Sequence, residues 1–107
     1  MTDRYEGKPF LRLLDSYVLA AIGHLDEANA RWLVEAEPYF RSTFGATGSW
    51  QEIVAARMQF PEGMEEAIRE VWAKGRVKFV EMAGEDPDPV LFTYEFVDTN
   101  FPHQEQP

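Results

Sequence analysis

The chain has 107 residues, of which 45% are hydrophobic and 27% are charged, so it can bury a core and is not disordered as a whole. This length predicts a single small domain over residues 1–107. The 19 acidic and 10 basic residues give a formal net charge of −9, so we expect no nucleic-acid partner and no membrane partner. Cysteine is absent, which excludes disulfides, thiolate metal centres and cysteine nucleophiles.

The longest apolar stretch, residues 13–25, is interrupted by Asp15, Ser16, Gly23 and His24, and is too short and too polar to span a bilayer. The charged residues over positions 3–8 sum to zero, unlike the positive start of a signal peptide. Together with the absence of cysteine, these features predict a cytoplasmic protein.

Apolar residues recur at helical spacing from Phe10 to Leu25, which predicts a first helix with Pro9 in its first turn and Gly23 near its end. Asp26 is placed to cap a second helix. Pro38 falls inside that second helix, so we expect a kink or a break there.

The next two helices follow short turns. Ser49 and Glu52 form the Ser-x-x-Glu pattern of a capping box, which opens a short helix. A longer helix follows the turn at residues 60–63, with acidic residues near its start and basic residues towards its end, as the helix dipole favours. One face of this longer helix is apolar and contains Met64, Ile68, Val71, Trp72, Gly75, Phe79 and Met82.

Residues 90–97 fit two patterns. An alternation of period two would pair them with residues 77–82 in a C-terminal β-hairpin over 77–97. Asp88 as a cap and Pro89 in the first turn favour a helix instead. The sequence therefore predicts an all-α domain of about five helices in an orthogonal or bundle-like packing, with α+β as the alternative and residues 102–107 as a frayed tail.

No group of residues points to catalysis. His24 has only His103 as a second histidine, and the repeated carboxylates Glu62, Glu66 and Glu70 resemble a solvated helix face. Ser16, Ser42 and Ser49 lie in no nucleophile motif. We therefore expect no enzyme activity, no metal site and no cofactor.

Aromatic residues are abundant: 3 Trp, 4 Tyr and 8 Phe in a small domain, some of which should remain at the surface. Exposed rings and methionines favour a protein–protein interaction module that self-associates, as in a homodimer, or docks onto a basic partner. The predicted contacts are Trp50, Met58, Phe60 and Met64. Residues 85–107 carry six acids and no base, and would steer the encounter.

The alternative function is a carrier of a small apolar ligand, held in an aromatic-lined pocket between helices. The residues predicted to line that pocket are Tyr17, Trp32, Phe40 and Trp72.

Overall fold

The computed structural model of the chain describes Tyr5 and residues 8–101. These residues form six helices and no strand: α1 (Pro9–Ala21), α2 (Glu27–Glu35), α3 (Glu37–Phe44), α4 (Trp50–Met58), α5 (Met64–Ala83) and α6 (Pro89–Asn100). The all-α prediction is confirmed, and the alternative hairpin over residues 77–97 does not form because both of its parts are helical. The predicted frayed tail, residues 102–107, lies outside the described residues.

The helix starts follow their capping residues. The Asn29 backbone N–H donates to the Asp26 side chain over 3.1 Å, and the Val90 N–H donates to Asp88 over 2.8 Å. At α4 the Glu52 N–H donates to the Ser49 hydroxyl, and the Ser49 N–H donates back to the Glu52 carboxylate. Each cap satisfies backbone N–H groups that the first helical turn leaves without a partner.

Proline breaks the second predicted helix into α2 and α3. α2 ends at Glu35, α3 begins at Glu37, and Ala36 joins them. Pro38 lies in the first turn of α3, where a missing N–H costs nothing, whereas inside one long helix it would clash with the preceding turn. This break is the reason for six helices rather than five.

α1 is the central helix, and it packs against α4, α5 and α6. Its buried residues include Leu13, Leu14 and Val18, which are fully covered by the surrounding helices. Its carboxyl end is fixed to α5, because the Arg69 guanidinium Nε donates to the Ala21 carbonyl over 3.0 Å. α1 therefore sets where α5 and α6 lie.

α5 extends beyond the core that α1 organises. Ile68 and Trp72, in its first half, are buried, but every residue from 73 to 86 is exposed. α5 and α6 are not among the closely packed helix pairs of the described chain: Trp72 contacts Phe92, and beyond that contact an open groove lies between the two helices. The second half of α5 thus forms one wall of that groove instead of packing into the core.

Candidate docking groove

The groove lies between the second half of α5, residues 84–88 and the start of α6, and it has a volume of about 630 Å³. Its apolar lining comes from both helices, and its charged residues lie along the loop and the helix edges. The apolar rings and side chains are Trp72, Phe79, Leu91 and Phe92, and the charged residues are Arg76, Glu85, Asp86, Asp88 and Glu95.

Two rings anchored in the core form the inner end of the groove. The Trp72 ring packs edge-on against Phe92 with centroids 4.9 Å apart, and the His24 ring packs against Trp72 at 5.5 Å. Trp72 is buried and Phe92 half-buried, so this end is fixed by the fold. Phe79 and Leu91 lie further out and are 43% and 61% exposed. The groove therefore has a fixed inner end and apolar walls that water contacts.

The sequence pattern of α5 explains why these walls are apolar. Met64, Ile68 and Trp72 on its apolar face meet the core, and the same face continues through Gly75 and Phe79 to Met82. Met82 is 89% exposed. A helix of 20 residues is about 30 Å long, and the core covers only its first half. The apolar face is thus left unpartnered over its second half.

Exposed apolar side chains are concentrated around this part of the molecule. Most of the large hydrophobic residues that the described chain exposes lie between residues 71 and 91, namely Val71, Val77, Phe79, Val80, Met82, Val90 and Leu91. Monomeric proteins seldom expose continuous apolar patches of more than a few hundred square ångström unless the patch binds something. This concentration therefore marks the α5–α6 region as the candidate site.

The rim of the groove is acidic. Glu85, Asp86, Asp88 and Glu95 line it, against a single base, Arg76. The Arg76 Nε donates to Asp86 Oδ1 over 2.7 Å, and this bond lowers the pKa of Asp86 and raises that of Arg76. Glu85 and Glu95 form no ion pair with the described residues. The net charge of the rim is negative, so the groove attracts cations.

The residues predicted as partner contacts lie elsewhere and are largely covered. Trp50 is only 1% exposed, because its ring is part of the hydrophobic core, and this corrects its assignment as a contact residue. Met58, Phe60 and Met64 are half-buried. Phe60 packs against Tyr17 at 5.2 Å between ring centroids, which directs its ring inwards. These residues serve the core more than a surface patch.

The four residues predicted to line a ligand pocket do not meet in one cavity. Phe40 is buried against Trp32 with centroids 5.9 Å apart, and the Arg12 guanidinium lies 4.0 Å from the Trp32 ring. Tyr17 packs beside Phe60, and Trp72 lies in the α5–α6 groove. Trp32 and Phe40 thus pack against each other, whereas Tyr17 and Trp72 each pack against a different neighbour, so the four side chains do not line one pocket.

His24 is exposed and packs on Trp72. Glu62, in the turn before α5, and Glu66 and Glu70 on α5 are exposed as well. No group of three or more histidine, aspartate or glutamate residues in residues 8–101 is arranged to hold a metal ion. Within the same described part, no helix has the length and the apolar character needed to cross a bilayer.

Sequence reasoning did not single out Phe79, Arg76 or Leu91 as site residues. The sequence signals near them are indirect: the apolar pattern of residues 64–82 is longer than that of residues 10–25, and a run of acids follows it, but neither pattern says which part of α5 stays uncovered. The family models, the curated proteins and the solved structures with which the chain was compared contain no match to it. The geometry of the groove is therefore the basis of the functional proposal.

Proposed function

We propose that this chain is a non-enzymatic protein-interaction domain whose α5–α6 groove receives a segment of a protein partner that carries basic residues beside apolar ones. The observation that carries the proposal is the uncovered second half of the α5 apolar face, which lines the groove at Gly75 and Phe79 and continues beyond it to Met82. The sequence suggested self-association or docking onto a basic partner, and the groove supplies a surface suited to a basic segment from either source.

The apolar walls would provide most of the binding free energy. Burying one side chain of the size of leucine, methionine or phenylalanine contributes about 1.5–3 kcal/mol. Of the side chains that line the walls, Phe79 is 43% and Leu91 61% exposed, so each still has a substantial part of that contribution to gain. Their neighbours Trp72 and Phe92 are already fixed by core contacts, so binding orders few side chains and loses little entropy there.

The acidic rim would select the partner. Glu85, Asp88 and Glu95 surround the apolar walls and would attract a segment with lysine or arginine beside its apolar residues. The same charges would repel an acidic segment and would speed the encounter with a basic one at low salt. A groove of this kind suits an amphipathic helix, which presents an apolar stripe between rows of basic residues.

The test is a binding measurement with two labelled peptides of helical periodicity, one of leucine and lysine and one with glutamate at every lysine position. We expect the lysine peptide to bind, more weakly as salt rises, and the glutamate peptide not to bind. Fluorescence anisotropy of the labelled peptide measures both affinities.

Leu91→Asp should weaken binding of the lysine peptide by at least ~10-fold, because it places a charge on the apolar wall. Val34→Asp is the matched control: Val34 is 57% exposed on α2, away from the groove. Equal affinity of the Leu91→Asp protein and the unmodified protein, or equal binding of the two peptides, would contradict the proposal.

A further inference from the structure

We propose that the partner is a second copy of this chain, and that the end of α5 from each copy enters the α5–α6 groove of the other. The inference rests on the proposed function of the groove and names its occupant. In this two-fold dimer, Met82 of one copy contacts the apolar walls of the other, and Lys74 and Lys78 face the acidic rim.

The chain itself contains a segment with the chemistry that the groove selects. Met82 is the most exposed of the large hydrophobic residues in the described chain, at 89%. Lys78 and Lys74 lie one and two turns before it on the same side of α5, since residues four apart are neighbours on a helix. This side of α5, defined as the basic flank, consists of Lys74, Lys78 and Met82 and combines positive charge with an apolar tip.

The charges of the basic flank are available for a partner. Lys78 makes no ion pair with any described residue, and Lys74 pairs only with Glu70 over 3.2 Å, with both side chains largely exposed. Exposed pairs of this kind contribute little stability and exchange readily. The acids Glu85 and Glu95 on the rim likewise lack an ion pair within the described chain. Each copy thus offers unpaired charges of both signs.

The position of the flank beside the groove fits two-fold symmetry. Met82 follows Phe79 by one helical turn, so the apolar tip and the groove wall lie next to each other at the same end of α5. A two-fold interface requires such a self-complementary surface, in which each copy gives and receives the same contact. Because every contact occurs twice, the dimer buries twice the area that a single inserted segment would bury. The total area is then closer to the ~1,200–2,000 Å² of stable interfaces.

The first test is sedimentation velocity over a series of protein concentrations. We expect the mass to rise with concentration towards twice the 12.3 kDa of the single chain. Met82→Asp should raise the dimer Kd by ~30-fold or more, as truncation of a central contact does. Val34→Asp should leave it unchanged. Met82 lies outside the core, so circular dichroism should show the same helix content for both variants.

A charge exchange tests the orientation of the two copies. Lys74→Glu with Lys78→Glu reverses the basic flank, and Glu85→Lys with Glu95→Lys reverses two charges of the rim. Each doubly substituted chain should fail to dimerise alone, because like charges then meet twice. An equimolar mixture should form a heterodimer, because the reversed flank then meets the reversed rim, and the native flank meets the native rim. A mixture that associates no better than either chain alone would overturn the inference.

The outcomes separate this inference from the proposed function. If the chain stays monomeric while the lysine peptide binds and Leu91→Asp abolishes that binding, the second copy is excluded and the groove remains a docking site. If neither dimer nor peptide complex forms, both proposals fail. A dimer that survives Met82→Asp and both charge reversals uses another surface, and it overturns this inference alone.

Discussion

Asp15 is a carboxylate buried to 1% exposure on α1, whose other buried residues are mostly apolar. The Tyr5 hydroxyl is hydrogen-bonded to it and also lies against the Tyr94 hydroxyl of α6. Burial and the Asp15 carboxylate raise the pKa of Tyr5, so the hydroxyl stays protonated and donates a hydrogen bond to the carboxylate. A buried carboxylate is stable only with such partners. Tyr5 thus helps to hold α1 and α6 together.

Tyr5→Phe should therefore destabilise the fold by about 1–3 kcal/mol, since it removes a hydrogen-bond donor from a buried acceptor. Urea unfolding followed by circular dichroism measures the change. Tyr39→Phe is the control, because Tyr39 is exposed and the same loss of a hydroxyl there should change stability by less than about 0.5 kcal/mol. Equal stabilities for the two variants would show that the Tyr5 hydroxyl does not stabilise Asp15.

At the scale of the elements, α5 contains a glycine in its middle. Gly75 is helical, and a Cβ added to it would meet no atom within 4 Å. Gly75→Ala should therefore stabilise the protein by about 0.5–1 kcal/mol, because alanine loses less backbone entropy in a helix. Gly84 ends α5 at φ +76°, where a side chain is strained, so Gly84→Ala should destabilise it by about 1 kcal/mol. Thermal unfolding of both variants should give shifts of opposite sign, and shifts of the same sign would contradict this account.

The bond from Arg76 to Asp86 ties α5 to the loop that leads into α6. Because the bond lowers the pKa of Asp86, the folded chain holds this proton less tightly than the unfolded chain does. Its stabilisation is present at neutral pH and is lost as the pH falls below about 4. An NMR titration of the carboxyl carbons should give Asp86 a pKa below the ordinary aspartate value, and Arg76→Gln should restore that value. An unchanged Asp86 pKa in the Arg76→Gln protein would show that the bond does not persist in solution.

The ends of the helices could be predicted because local residues determine them. Asp26, Ser49 and Asp88 accept hydrogen bonds from the first turns of their helices, and Pro38 prevents one continuous helix, whatever packs against it. The part of α5 that is covered could not be predicted in this way. Its apolar face is uniform in sequence from Met64 to Met82, and only the packing of α1 decides that cover ends near Trp72.

At the scale of the whole molecule, the sequence could not identify the site residues for the same reason: which side chains are buried depends on how the helices pack. Composition indicated that some aromatic residues would be exposed, but it could not say which: Trp50 is buried, whereas Phe79 is 43% exposed. The sequence shows an excess of acidic residues near the carboxyl end. Four of these residues lie on the rim of the groove, namely Glu85, Asp86, Asp88 and Glu95. One of its acids, Asp86, folds back onto Arg76, so the segment is only partly free to attract a partner.

The remaining negative charges predict how stability responds to salt. Glu85, Asp88 and Glu95 lie around one groove, and the molecule as a whole carries a formal charge of −9. Salt shortens the screening length to about 8 Å at physiological ionic strength and weakens this repulsion. The Tm of the Met82→Asp protein, in which dimerisation is blocked, should therefore rise by a few degrees between low and moderate salt. A Tm that falls would show that ion pairs outweigh repulsion.

The central claim, that the uncovered face of α5 is a docking surface, is tested most directly by methyl NMR of the full chain. The protein is titrated with the leucine–lysine peptide, and the methyl signals of Met82 and Leu91 are compared with that of Val34, which is exposed on α2. The account predicts large changes at Met82 and Leu91 and none at Val34. Changes of equal size at all three methyl groups, or changes confined to Val34, would contradict it.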